Sequence, residues 1–260
     1  MTTTTRGYGF ASVARMEWIK LGSLRSSWGL AVGSVLAMVV VGAAVGIGYR
    51  GYTPVATGPQ IVNNSLAGAV LAQLLLGALG LLAVTAEYGS GAIRPTFAAV
   101  PRRGLVLAAK ATVYGLTALA VALAASVAGF LAGQLAIAGT PIPRASLADP
   151  AILRAVILTA LYLGAASLIG VGLGALIRHT GGAIGALFGG LFVSMVVAGL
   201  LGPGAAEVTR FVPMIMLVNS IAVVEPMDGL LSPWAGVGVM VLYAAVALAA
   251  GGLLLARRDA

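Results

Sequence analysis

Apolar residues fall into six long runs along this chain, and none of the runs contains a charged side chain. Each run has about 20 residues or more, the length that a helix needs to cross about 30 Å of hydrocarbon. The runs cover residues 29–48, 66–86, 111–138, 155–177, 181–201 and 234–256. Lipid forces backbone groups to pair within their own segment, and a barrel would show short alternating strands instead. The pattern therefore predicts an all-α membrane protein with six transmembrane helices.

One further apolar stretch, residues 211–224, is shorter than the six runs. It has no charge and is flanked by Arg210 and Glu225. Its fourteen residues are too few for a comfortable span. We interpret it as an interfacial or re-entrant part of the outer segment 202–232, for which an outer gate and a membrane-surface helix both remain open.

The positions of Lys and Arg predict the orientation. Six spans place both termini on one side, and that side collects eleven of the fifteen basic residues. Basic residues near span ends mark the cytoplasmic face, so we expect both termini to be cytoplasmic. A seventh span over 211–224 would move Arg257 and Arg258 outside, which argues against it. Topology and attraction to anionic lipid explain the net charge of +8 without nucleic acid as a partner.

The segment before the first span predicts an amphipathic helix on the membrane surface, over residues 10–28. At 100° per residue, its apolar side chains share one arc, with small or charged residues opposite. The arc holds Phe10, Val13, Ala14, Leu21, Leu24 and Trp28. Glu17 interrupts it, and two alternatives remain open: a contact with a polar protein partner, or a position among the lipid headgroups. The predicted divisions are an N-terminal tail and amphipathic helix (1–28), a transmembrane domain (29–256) and a cytoplasmic tail (257–260).

Composition narrows the chemistry. Hydrophobic residues make up 60% and charged residues 8%, against about 25% charged in soluble domains. Cysteine is missing from the sequence, His179 is the single histidine, and the pattern GxxxxGK[ST] does not occur. An intramembrane enzyme would need a Ser-His pair, paired acids or a metal cluster within the spans, whereas His179 lies at a span end. We therefore expect neither an enzyme nor a bound metal or cofactor.

The connection between the second and third spans, Glu87–Lys110, is the longest cytoplasmic one. It reads EYGSGAIRPTFAAVPRRGLVLAAK, with glycines and prolines that interrupt the flanking helices. Between Pro95 and Pro101 there is room for only a short helix. Such a basic turn between two rigid spans is a candidate docking element for a soluble partner, and the alternative is a loop that serves topology alone.

The order of these features resembles a known family. An amphipathic N-terminal helix containing Glu17-Trp18-Ile19-Lys20-Leu21 precedes the first span, and the second span ends in Thr85-Ala86-Glu87-Tyr88-Gly89-Ser90-Gly91-Ala92-Ile93-Arg94. A Pro101-Arg102-Arg103 turn and Lys110 then lead into the third span. The chain is similar to ABC-2 type permeases of bacterial ABC transporters, and in particular to compact six-span ones. It departs from them at Ala92, where such permeases often have Thr, and at Pro95.

The resemblance implies a multi-pass permease subunit in the bacterial cell membrane. Such a permease works as a dimer, homomeric or with a related permease, together with separate ATPase subunits that bind the ATP. Its cargo is an exported drug, lipid, peptide or polysaccharide. The residues that the resemblance assigns to ATPase coupling are Glu17, Glu87, Tyr88, Gly91, Arg94, Pro101, Arg102 and Arg103. A non-transporting immunity or sensor subunit on the same scaffold remains the alternative.

No charged residue lies within a predicted span, which favours an amphiphilic or apolar cargo over a proton or metal ion. The polar residues in or near the spans are candidates for a cargo path, with interhelical hydrogen bonding as the favoured alternative. They are Gln73, Tyr114, Gln134, Tyr162 and Ser194.

Glycines also recur at a spacing of four residues, which lets helices approach closely. They are Gly42 and Gly46, Gly170 and Gly174, and Gly181, Gly185 and Gly189. We expect them to pack within one subunit, with a dimer seam on the first and fifth spans as the alternative.

Overall fold

The computed structural model describes residues 9–50, 58–201, 206–223 and 229–257 of the chain. These residues form helices and connecting turns, with no strand among them, so the predicted all-α class is confirmed. The helices are α1 Phe10–Ser23, α2 Arg25–Tyr49, α3 Gly58–Ser65, α4 Ala69–Ser90, α5 Ile93–Ala99, α6 Arg103–Ala136, α7 Pro150–Ile177, α8 Thr180–Phe188, α9 Ser194–Leu201, α10 Ala206–Thr209, α11 Pro213–Ser220 and α12 Pro233–Arg257. The predicted tail residues 1–8 and 258–260, and residues 202–205 and 224–228 of the outer segment, lie outside the described residues.

Six helices in the described part of the chain are long and apolar enough to cross a membrane, which supports a multi-pass membrane protein. They are Arg25–Tyr49, Gln60–Ser90, Arg103–Ala136, Pro150–Ile177, Thr180–Leu201 and Pro233–Arg257. The first begins upstream of the predicted residue 29, and the third begins upstream of residue 111. Single basic residues at these ends are compatible with helix, so the helices continue past the uncharged runs.

The second and fourth of these helices form the centre of the bundle. Helix α4 packs along α7, and α6 packs on both α7 and α2. Glycines permit these close approaches, as predicted: a Cβ at Gly42 would overlap the carbonyl oxygen of Gly129, and one at Gly170 would overlap that of Gly77. The core is accordingly built from helix backbones in contact as well as from Leu and Val side chains.

The fifth spanning helix lies at the edge of the bundle and is interrupted. Helix α8 passes into a π-helical turn, Gly189–Val193, before α9 continues. Cβ positions at Gly185 and Gly189 would meet nothing within 4 Å. The expectation that these two glycines pack within one subunit is therefore wrong, because the helix turns both of them away from the bundle.

The N-terminal helix differs from the prediction in two ways. It ends at Ser23, and Leu24 is extended with φ −90° and ψ 115°, so residues 10–28 are two helices. The predicted apolar arc is also split, because Val13 and Leu21 are buried against the protein while Phe10 and Trp28 are exposed. Helix α1 packs mainly on α6, so its inner face meets protein.

The short apolar stretch after residue 210 contains α11, which is buried in the bundle. Met216 is 2% exposed and Leu217 is fully buried. The helix contacts α12, α7 and α4. Within the described residues, this segment is a packed interior helix and no seventh span.

Candidate functional site: a buried ring of four charges

Four charged side chains from three helices form a closed ring of ion pairs. Glu17 and Lys20 come from α1, Glu87 from the last turn of α4, and Lys110 from α6. Lys20 Nζ lies 3.0 Å from Glu17 Oε1 and 2.8 Å from Glu87 Oε1. Lys110 Nζ lies 2.8 Å from Glu17 Oε2 and 2.5 Å from Glu87 Oε1. We call these four residues the charge ring.

The ring is buried, and its donors are fully used. The side chain of Glu17 is fully buried and that of Lys110 is 2% exposed, whereas Lys20 is 30% exposed. Each lysine ammonium donates three hydrogen bonds, one from each of its three N–H groups. The third from Lys110 goes to the carbonyl oxygen of Ala83 at 2.8 Å, and the third from Lys20 goes to Thr96 Oγ1 at 3.3 Å.

Local sequence explains how the ring closes. Glu17 and Lys20 are three residues apart, so they lie next to each other on α1. Helix α4 ends at Ser90, and Gly91 follows it with a left-handed φ of 75°, as is usual for a glycine just after a helix. The chain reverses at this turn, so that α5 packs beside the end of α4 and Thr96 Oγ1 lies 3.2 Å from Glu87 Oε2. The ring thereby joins α1 and α5 to the ends of α4 and α6.

The charges balance, and each depends on the others. Burial lowers the pKa of Lys20, but the hydrogen bond that Lys20 donates to Glu87 and the negative charge of Glu17 raise it more, so the net pKa lies above its ordinary value. Removing one partner of a buried ion pair leaves an uncompensated charge, which is strongly destabilising. A complete network of this kind holds its helices in one arrangement.

The ring corrects two expectations from the sequence. Glu17 was expected to face a protein partner or the headgroups, but its carboxylate contacts Lys20 and Lys110 of its own chain. Charged residues were expected to lie outside the spanning helices, but Lys110 is buried within α6, the third spanning helix. The sequence does hold a signal for the ring: Lys20 and Lys110 are the only lysines in a chain with thirteen arginines.

The other predicted coupling residues divide between the surface and the interior. Arg94, Pro101 and Arg102 are exposed, on or beside α5. Arg103 Nη1 donates to the carbonyl oxygen of Leu255 at 3.0 Å. The Arg178 guanidinium lies 5.2 Å from the centre of the half-buried Tyr88 ring.

The helix expected between the two prolines begins earlier than predicted. Helix α5 starts at Ile93 and contains Pro95 within its first turn, where a helix tolerates proline because the N–H has no intrahelical partner. Ile93, Thr96 and Val100 are buried, so α5 is seated on the bundle by its inner face. Its outer face carries Arg94.

Four of the five cargo-path candidates are packed within the protein. Tyr162 Oη lies 3.1 Å from Gln73 Oε1 and 2.9 Å from the carbonyl oxygen of Pro213, and both side chains are fully buried. Gln134 Oε1 accepts a hydrogen bond from the Ala145 N–H at 2.8 Å. The remaining buried one is Tyr114, which is 2% exposed. These contacts favour the hydrogen-bonding interpretation for Gln73, Tyr162 and Gln134.

Ser194 is the fifth candidate. It belongs to the fifth spanning helix, Thr180–Leu201, and lines a cleft there. Within the described residues there is no group of three or more His, Asp or Glu side chains that could hold a metal ion. Comparison of the chain with protein-family models and with curated proteins gives no match to either.

Proposed function

We propose that this chain is the permease subunit of an ABC-2 type ABC transporter in a bacterial cell membrane, and that it exports an amphiphilic or apolar cargo. A separate ATPase supplies the energy, since the sequence has no phosphate-binding loop. The permease works as a dimer, with a second copy or with a related permease. Both termini and the charge ring lie on the cytoplasmic side, where basic residues concentrate.

The observation that carries the proposal is the link between surface helices and spanning helices. Helix α5 has an exposed outer face, and α1 exposes Arg15, Trp18 and Ile19. Helix α1 is tied to α4 and α6 by the ion pairs of the charge ring, and α5 is joined to the ring by the contacts of Thr96 with Glu87 and Lys20. A force applied to these two surface helices would therefore move two spans with them.

This arrangement gives the predicted coupling residues two different tasks. The ATPase contacts Arg94, Pro101 and Arg102, which are exposed. Glu17 and Glu87 stay within the permease and hold the docking helices on the spans. The coupling acid, Glu87, thus acts through Lys20 and Lys110 and not by direct contact with the ATPase.

Co-purification tests the proposal. The chain is expressed with the ATPase encoded by the neighbouring gene, and the complex is isolated in detergent. We expect a stable complex that the paired change Arg94→Glu and Arg102→Glu disrupts, because it reverses two exposed charges at the docking surface. Arg144→Glu is the matched control, since Arg144 is also exposed but lies between α6 and α7, at the other end of both helices.

Failure to recover any ATPase with the wild-type chain would exclude the transporter assignment and favour an immunity or sensor subunit. Equal recovery with the paired variant would instead mean that α5 is not the docking surface.

A further inference from the structure

A cleft of about 430 Å³ lies between α7, the fifth spanning helix, α12 and the segment that leads into α11. Its volume is within the range of roughly 300–1,000 Å³ that small-molecule sites occupy. It is separate from the charge ring, with which it shares no residue. Ser194 on its wall is the one cargo-path candidate that is not packed in the bundle interior.

One wall of the cleft is fixed. Tyr243 Oη donates to the carbonyl oxygen of Phe211 at 3.1 Å, and Tyr162 Oη lies 2.9 Å from that of Pro213. At the far end of α11, Arg154 donates to the carbonyl oxygen of Ala222 at 3.1 Å. The segment 211–222 is thus held at both ends.

The opposite wall is the interrupted fifth helix. Gly190, Leu191 and Ser194 line the cleft from the π-helical turn and the residue after it. Single π-helical turns inside α-helices occur frequently at functional sites. Gly190 leaves the cleft open, because a Cβ at this position would meet nothing within 4 Å.

The lining specifies the chemistry of a ligand. Of its twelve residues none is charged, and the two side-chain hydroxyls belong to Ser194 and Tyr243. Ser194 Oγ donates to the Gly190 carbonyl oxygen at 2.7 Å, and Tyr243 Oη donates to that of Phe211. Since each hydroxyl has a single proton, both oxygens are left as acceptors. A charged group buried against these twelve residues would be costly, because none of them carries an opposite charge.

We infer that this cleft binds one alkyl chain of an uncharged, single-chain amphiphile whose polar end carries a hydroxyl or an amide N–H. The chain lies against the leucines and valines, and its polar end donates to Ser194 or Tyr243. This goes beyond the proposed function, because the cleft is formed by one chain and binding needs no ATPase. Phospholipid is disfavoured as the occupant by the uncharged lining.

Photolabelling tests the site. The purified chain in detergent is titrated with a photoreactive long-chain alcohol, and labelled peptides are mapped. We expect saturable labelling of residues 186–194, which Gly190→Leu abolishes by filling the cleft. Gly189→Leu is the matched control, because it also adds a side chain in open space but does not line the cleft.

The methyl ether of the same probe tests the polar contact. It cannot donate a hydrogen bond, so it should bind about three- to tenfold more weakly than the alcohol. Ser194→Ala together with Tyr243→Phe should remove that difference while leaving apolar binding in place.

Three results would overturn the inference: unchanged labelling in Gly190→Leu, equal affinity for alcohol and ether in the wild type, or displacement of the probe by phospholipid. None of them depends on whether an ATPase co-purifies, so the cleft and the transporter assignment can fail separately.

Discussion

The charge ring and the Gln73–Tyr162–Pro213 contacts, which we call the neutral cluster, are both buried and both join separate helices. The ring uses full charges and joins α1 and α5 to the ends of two spanning helices. The neutral cluster uses an amide, a hydroxyl and a carbonyl, and joins α4, α7 and α11 in the bundle interior. Charges thus hold the peripheral helices, while neutral groups connect helices that already pack closely.

The difference has an energetic reason. Only one face of helix α1 packs on the protein, so apolar contacts alone stabilise its position weakly. A buried charge without its partner is far more costly than an unpaired amide. We therefore expect damage to the ring to cost much more stability than damage to the neutral cluster.

The largest effect is expected for Lys110→Met. The change leaves Glu17 buried and with one lysine partner fewer, and breaking a buried pair in this way costs about 3–5 kcal/mol. Denaturant unfolding of the purified protein in detergent measures it. Arg102→Met is the control, since Arg102 is exposed and should change stability by less than about 0.5 kcal/mol. A Lys110→Met protein as stable as the wild type would mean that the ring has no structural weight.

A double-mutant cycle sharpens this result. Glu17→Gln combined with Lys110→Met removes an acid and a base together, so the two losses should not add. We expect a coupling energy of about 0.5–3 kcal/mol between the two sites. Additive losses would show that the two side chains do not interact, contrary to the 2.8 Å contact.

Tyr162→Phe tests the neutral cluster and should have a smaller effect. It removes one hydroxyl from Gln73 and the Pro213 carbonyl, and hydrogen bonds between membrane helices average about 0.6 kcal/mol with a maximum near 1.7. Tyr49→Phe, which removes an exposed contact with Asn64, is the control and should be close to neutral. A loss for Tyr162→Phe as large as that for Lys110→Met would remove the distinction between the two clusters.

The smallest expected effect is a pH dependence from Lys20. Its folded-state pKa lies above its unfolded value of about 10.4, so its stabilising contribution is complete below about pH 10.4 and is lost as the pH rises through the folded pKa. Unfolding measured between pH 8 and pH 11 should show a steeper alkaline decline in wild type than in Lys20→Met. Parallel curves would mean that Lys20 contributes no pH-dependent stability.

Six uncharged runs were sufficient to predict the spanning helices, because crossing lipid demands long apolar segments wherever they occur. The ends of these helices were harder to predict. Two of them begin at Arg25 and Arg103, upstream of the uncharged runs that predicted them. The break at Leu24 depends on a single extended residue, which periodicity does not reveal.

The ring was only partly predictable. Glu17 and Glu87 were singled out as candidate coupling residues. The lysines that they share, Lys20 and Lys110, lie up to 93 residues away in sequence. One sequence has no signal for such a pairing beyond the scarcity of lysine. The open face at Gly185 and Gly189 was missed for a similar reason, since glycine spacing is the same in packed and exposed helices.

In the transporter proposed above, the charge ring transmits ATPase movement from α1 and α5 to the spans. The chain has no cysteine, so spin labels can be attached at Leu135→Cys and Leu200→Cys, which replace exposed residues of α6 and α9. The distance between the labels is then measured in the purified complex with and without ATP. We predict that ATP shifts this distance when the ring is intact and has no effect when Glu17→Gln and Lys110→Met are both present. The same shift in the variant that carries both substitutions would show that the charge ring does not transmit the movement.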